Sequence, residues 1–180
     1  MEFSEVIDKR FSVKKFDDQK VPQEIIDEIL NTGRLAPSAG NYQPTIVYVI
    51  EKDSIEKVKA IPEAKTHPVL LSANQALLVC YDKTAEMKRP HDQFAFGMTD
   101  ANIAATYMML KITELGLGSV WIGWFNPAKI KTILGLPEEH EVAAILPFGY
   151  IPKGYRPSAN HKKRKPLEEF KRELYRTRPE

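Results

Sequence analysis

At 180 residues, with 43% apolar and 28% charged residues and a formal net charge of +2, the chain has the size and composition of one globular domain. So small a charge does not imply a nucleic-acid partner, and the single Cys80 excludes an internal disulfide. No apolar run approaches the roughly 20 residues that cross a membrane, and the opening MEFSEVIDKRF lacks the apolar stretch of a signal peptide, so a cytoplasmic protein is expected.

Phe3, Val6 and Ile7 have helical spacing, which predicts a short helix over residues 4–9. Residues 10–16 (RFSVKKF) then alternate. In an extended chain Arg10, Ser12 and Lys14 fall on one side, and Phe11 and Val13 on the other. Pro22 reads as the first residue of a helix with one apolar face (Ile25, Ile26, Ile29, Leu30), running to about Leu35. Pro37 biases Ala36 out of helical geometry and ends it. Residues 35–44 (LAPSAGNYQP) carry Ser38, Asn41 and Gln43 on a backbone stiffened by two prolines. Gly40 permits a positive φ there and Asn41 tolerates one. That suits a loop that hydrogen-bonds a ligand; a solvated helix-to-strand turn would have the same composition.

The β-branched, aromatic run at 45–50 (TIVYVI) predicts a strand. Asp53 and Glu56 form a capping-box pattern for a helix to about Ala60, and residues 61–68 are proline-bounded and irregular. Residues 74–81, containing LLVCY, read as a central strand, and 83–90 as a charged, exposed stretch. Thr99 or Asp100 is expected to cap a long helix that is apolar on most sides and therefore buried by its own sheet or by a partner chain; Gly116 stops it. SVWIGWF at 119–125 predicts a further strand, and Asn126-Pro127 the start of a short helix. Residues 141–151 form a strand that Pro147 should demote to an edge or a bulge. A Pro/Gly/Asn-rich loop follows at 152–161. Pro166 then starts an amphipathic segment with Leu167, Phe170 and Leu174 on one face. Strands separated by helices imply a sheet covered on both faces.

The chain has no GxGxxG or Walker A loop, its four histidines are isolated, Cys80 sits in a core strand, and no carboxylates pair for acid/base work. A set of anion-binding groups remains at opposite ends of the chain. Arg10, Ser12 and Lys14 share one side of an extended segment, and Lys162 and Arg164 share one in KKRKP. Taken singly, each reads first as a solvated charge run, since such runs are usually only polar surface. Gly123, inside an apolar strand, marks a close approach of a ligand or another backbone, or a bulge.

RxSxK, PSAGNxQP, GLGSxWIG after a long apolar helix, and KxRKP occur in that order over nearly the whole chain. Together they resemble the nitroreductase family of FMN-dependent oxidoreductases. The resemblance implies an α+β, three-layer α-β-α fold with a mixed, mainly antiparallel sheet, forming one domain over residues 1–180 and an intertwined homodimer with FMN in the interface. It implies Arg10 and Ser12 at the phosphate and ribityl chain and Lys14 beside the flavin pyrimidine edge. Pro37, Ser38, Ala39 and Asn41 would reach the flavin of the other subunit. Ile122 and Gly123 would face the ring, with Lys162 and Arg164 at the phosphate. The implied activity is ping-pong transfer from NAD(P)H through flavin N5 to a nitroaromatic, quinone or similar planar acceptor, with Tyr42, Phe94, Phe96 and Trp124 as candidates for lining the acceptor's place. Phe11, Thr45 and Trp124 depart from the commoner family pattern, and Lys65 is a candidate for a further flavin contact. Two other readings stand beside this one. A specialised flavin enzyme on the same fold (dehalogenase, flavin-fragmenting or desaturase type) would carry a lid, for which 83–97 is the available segment. A nucleic-acid binder would use the basic tail, where residues 160–180 hold eight Lys/Arg; the four glutamates interleaved there argue against it.

Overall fold

A computed structural model describes residues 1–61 and 68–172. In chain order the elements are α1 (Phe3–Lys9), α2 (Gln23–Arg34), a 3-10 turn (Ala39–Asn41), β1 (Thr45–Glu51), α3 (Lys52–Lys59), α4 (Val69–Ser72), β2 (Gln75–Asp82), α5 (Gly97–Glu114), β3 (Gly118–Ser119), α6 (Pro127–Leu134), β4 (His140–Gly149) and α7 (Leu167–Phe170). The sheet order is β1-β2-β4-β3, with every ladder antiparallel. The parallel component is a single bridge, Ser12 to Ser119, which sets the 10–16 segment against β3.

The three layers follow from alternation along β2. Ala76, Leu78 and Cys80 join one buried cluster with Ile55 and Val58 of α3 and Ile130 of α6. Leu77 and Val79 join the other with Ile26 and Ile29 of α2 and Ala105, Met108 and Ile112 of α5. Successive side chains of a strand point to opposite faces, so one continuous apolar strand supplies both cores.

Several sequence expectations shift, each for a visible reason. The strand foreseen over 119–125 is reduced to Gly118–Ser119 plus one bridge, Ile122 to Ile145. Val120 donates to the carbonyl of Pro147, which has no N–H to return. Both main-chain groups of a residue in an antiparallel strand point the same way, so the missing donor faces β3 and breaks that ladder alone. Pro147 therefore sits inside an interior strand, and the register shift lies at Val79/Cys80. Helix α3 starts at Lys52, ahead of the expected capping box. Helix α5 starts at Gly97, whose N–H is taken by Glu86, so neither Thr99 nor Asp100 is its cap. Asn126 does cap α6, accepting from the N–H of Lys129 at 3.1 Å. Of the α1 residues, Val6 is buried while Phe3 remains 71% exposed. In α7, Leu167 and Phe170 are both exposed, so among the described residues nothing covers them; Leu174 and Lys65 lie outside the described residues.

Gly118 is where the N-terminal segment and β3 meet. A Cβ there would lie 2.5 Å from Val13 Cγ2 and 2.9 Å from Ile151 Cγ1. Overpacking of this kind costs about 1–3 kcal/mol, so Gly118→Ala should lower the melting temperature by roughly 3–10 °C in a thermal scan.

Candidate functional site

The two basic stretches from opposite ends of the chain come together. Phe11 is the hinge of the contact: its ring stacks on Tyr155 (6.2 Å between centroids) and meets His161 edge-on (5.9 Å). The Lys14 N–H donates to Tyr155 Oη at 3.0 Å. The 155–164 loop is thereby laid along residues 10–14, and Arg164 braces itself by donating to the carbonyls of His161 and Lys163. Arg10, at the C-terminal end of α1, is half-buried. Burial, and then the charge of Arg164, pull the Arg10 guanidinium below its ordinary value. Among the described residues no carboxylate pairs with either arginine. Ser12 and Lys14 on the one stretch and Lys162 on the other are exposed. Two guanidinium groups within reach of each other's charge, with no carboxylate partner among the described residues, suit an oxyanion, and guanidinium meets the bidentate demand of phosphate.

The 37–43 loop is built for shape. Gly40, Asn41 and Gln43 have φ of 56°, 58° and 51°. Ser38 Oγ accepts from the Gln43 N–H (3.0 Å), and Gln43 Nε2 donates to Asn41 Oδ1 (3.0 Å). Pro37 and Gly40 stand exposed, and the Ala39 N–H reaches Asp100 Oδ1 at 3.0 Å. This loop lies far from the arginines. It leads into Thr45, which pairs with Tyr81, whereas β3 pairs at Gly149 and Phe148, opposite Gln75. Loop and cations therefore occupy diagonally opposite corners of the sheet, roughly 14 Å apart across the strands and 20 Å along them.

Ile122 is buried and exchanges both main-chain hydrogen bonds with Ile145, fixing the chain where Gly123 emerges exposed. Of the aromatic candidates, Phe94 and Phe96 pack edge to face (4.9 Å). Phe96 donates its N–H to Met87, and Met87 Sδ adjoins Gly40 beside Tyr42. These three gather around the 37–43 loop. Trp124, 74% exposed, follows the Ile122 bridge on the other edge of the sheet. Residues 83–97 form a small hairpin closed by a Lys88–Ala95 bridge, with Arg89 paired to Asp92 and laid over the Phe94 ring at 5.1 Å.

Three participants escaped sequence reasoning. Tyr155 and His161 sit in a loop whose composition signals only irregularity. Asp100 was visible as a polar residue at a helix start, but that reading assigned it to the helix. The Cys80 thiol is pushed up to about 12, by burial first and then by Glu141, which keeps it protonated.

A profile of the Nitroreductase family matches residues 7–82 and 59–150. A relative in Methanothermobacter thermautotrophicus, provisionally named NADH dehydrogenase/NAD(P)H nitroreductase, is 33% identical over 161 residues, covering 86% of this chain and 78% of its own. A nitroreductase family protein of Clostridium difficile 630 superposes with a TM-score of 0.84 at 36% identity, over 96% of this chain and 98% of that one. A Desulfovibrio desulfuricans protein, provisionally named a nitroreductase and solved in complex with FMN, superposes with a TM-score of 0.82 at 26% identity, over 97% and 98% of the two chains. The chain belongs to the nitroreductase family.

Proposed function

We propose that this chain is an FMN-dependent NAD(P)H oxidoreductase whose flavin site is shared between two copies, with a nitroaromatic, quinone or similar planar molecule as the acceptor. The observation that carries the reading is the Arg10–Arg164 pair, two neighbouring cations with no carboxylate among the described residues. The donor set fits a phosphomonoester: two guanidinium groups, the Ser12 hydroxyl and the Lys162 ammonium around one corner of the sheet. The name of the D. desulfuricans structure supports FMN as the bearer of that phosphate. When bound, FMN supplies the redox chemistry that side chains lack, accepting a hydride equivalent from the nicotinamide and passing it on.

The residues of this chain bind, orient and exclude. Arg10, Arg164 and Lys162 neutralise the phosphate. Lys14 lies two residues beyond Ser12 in the extended chain and so on the same side, placed to offset negative charge on the ring. Gly123 offers bare backbone where the chain leaves the Ile122 bridge. Pro37, Ser38, Ala39 and Asn41 present a rigid polar loop, with Tyr42, Phe94 and Phe96 around it as aromatic surface for a planar acceptor.

Distance supports a dimer. The loop and the cations lie at opposite corners of one sheet, with the 18-residue α5, about 27 Å long, spanning from Asp100 beside the loop toward β3. One mononucleotide does not bridge them within a chain, whereas a two-fold arrangement sets the loop of one copy beside the cations of the other. The unburied apolar surface agrees. Phe3, Tyr107 and Met1 border a cavity of about 460 Å³ between α1, α2 and α5, and Phe170 is 85% exposed on α7.

The purified protein should be yellow, and its flavin absorbance should bleach under anaerobic NADH or NADPH and return with a quinone or nitroaromatic acceptor. A colourless protein that takes up no added FMN would reject the reading.

A further inference from the structure

The hydrogen bonds that give the 37–43 loop its shape lie within it: Asn41 N–H to Ser38 O (3.0 Å), Tyr42 N–H to Ala39 O (3.1 Å), Gln43 N–H to Ser38 Oγ and Gln43 Nε2 to Asn41 Oδ1. They hold three residues at positive φ but do not locate the loop on the body of the protein. Among the described residues, the hydrogen bond that ties the loop to the body is the Ala39 N–H to Asp100 Oδ1, 3.0 Å, at the start of α5.

Asp100 is an expensive way to make one bond. It is 2% exposed, and its Oδ2 is buried with no partner among the described residues. Burying a carboxylate behind a single neutral donor costs more than burying an apolar side chain of similar size. Its place in the first turn of α5 favours negative charge but recovers only a small part of that cost. Asp100 also lines a cavity of about 320 Å³ together with Ser38, Gln43 and Val47, and an apolar side chain of similar size in its place would carry no such desolvation cost.

We infer that Asp100 is the positioning residue of the 37–43 loop: by holding the Ala39 N–H it sets where Ser38 and Asn41 stand against the flavin of the other copy. The inference rests on the FMN reading above and adds to it a residue that touches neither cofactor nor acceptor. A positioning role separates stability from binding, which a purely structural role does not.

Three proteins test it: wild type, Asp100→Leu and Asp100→Asn. Ala39 amide exchange is measured without flavin, melting temperature alongside it, and FMN affinity by fluorescence quenching. In Asp100→Leu the melting temperature should not fall, the Ala39 amide should exchange at least about tenfold faster, and FMN should bind about 10–100-fold more weakly. Asp100→Asn keeps an acceptor and should return both readouts to within about threefold of wild type. Unchanged Ala39 exchange in Asp100→Leu, unchanged FMN affinity, or an Asn variant no better than Leu would overturn the assignment. A wild-type chain that binds no FMN would defeat the cofactor reading on its own, and Ala39 exchange would still decide whether Asp100 is the anchor.

Discussion

Replacing both Arg10 and Arg164 with alanine should weaken FMN binding by about a thousandfold while leaving the fold intact. A hydrogen bond to a charged group contributes about 1.5–3 kcal/mol, and each 1.4 kcal/mol is a factor of ten, so each arginine accounts for roughly 10–100-fold. The fold should survive because neither guanidinium is paired with a carboxylate among the described residues, and Arg10 lies within the unfavourable field of Arg164. The flavin-free double variant loses only the exposed hydrogen bonds that Arg164 donates to the carbonyls of His161 and Lys163, so its melting temperature should stay within roughly 5 °C of wild type. Flavin fluorescence titration gives the affinity and a thermal scan gives the stability. In the wild type the affinity should also fall with ionic strength, since the exposed part of the cluster is screened. Retention of FMN through dialysis of the double variant would remove the phosphate role from both arginines.

Gly40→Val should weaken FMN by about a hundredfold from the opposite corner of the sheet, without altering a single cation. Gly40 has a φ of 56°, and a Cβ there would lie 3.0 Å from the Tyr42 ring and 3.1 Å from Met87 Sδ. A β-branched residue is strained at positive φ by about 1–2 kcal/mol before those contacts are counted. The loop therefore relaxes away from the shape that Ser38 and Gln43 hold, and the polar groups of Ser38 and Asn41 move with it. The loop is at the surface, so the fold loses little: the melting temperature should fall by no more than roughly 8 °C. Affinity within threefold of wild type would show that the loop does not meet the cofactor.

Much of this was legible in the chain because local chemistry dictated it. Alternation placed Arg10, Ser12 and Lys14 together, Asn126-Pro127 marked the start of α6, and the run LLVCY announced a strand buried on both faces. The rest depended on long-range geometry that no local pattern encodes. Nothing in a Pro/Gly-rich loop says that Tyr155 and His161 will clasp Phe11 and carry Arg164 to Arg10. Pro147 was noticed, but the direction of its missing N–H, toward β3 and away from β2, is a property of the assembled ladder. The same holds for Asp100: at a helix start it reads as a cap, and only the packed structure shows the loop amide it holds. The four aromatic candidates separated for this reason too, since Trp124 and Tyr42 belong to opposite edges of one sheet.

A site divided between two copies is tested most directly by mixing two defective chains. Arg10→Ala/Arg164→Ala and Gly40→Val, carrying different tags, are unfolded and refolded together, and the doubly tagged dimer is isolated. One site in that dimer combines both defects, while the other joins the intact cations of one chain to the intact loop of its neighbour. The mixed dimer should therefore bind about half the wild-type FMN content at wild-type affinity, although the parents bind about a thousandfold and a hundredfold more weakly. Absence of recovered FMN in a correctly formed mixed dimer, or tight FMN binding by a monomer, would contradict the shared site.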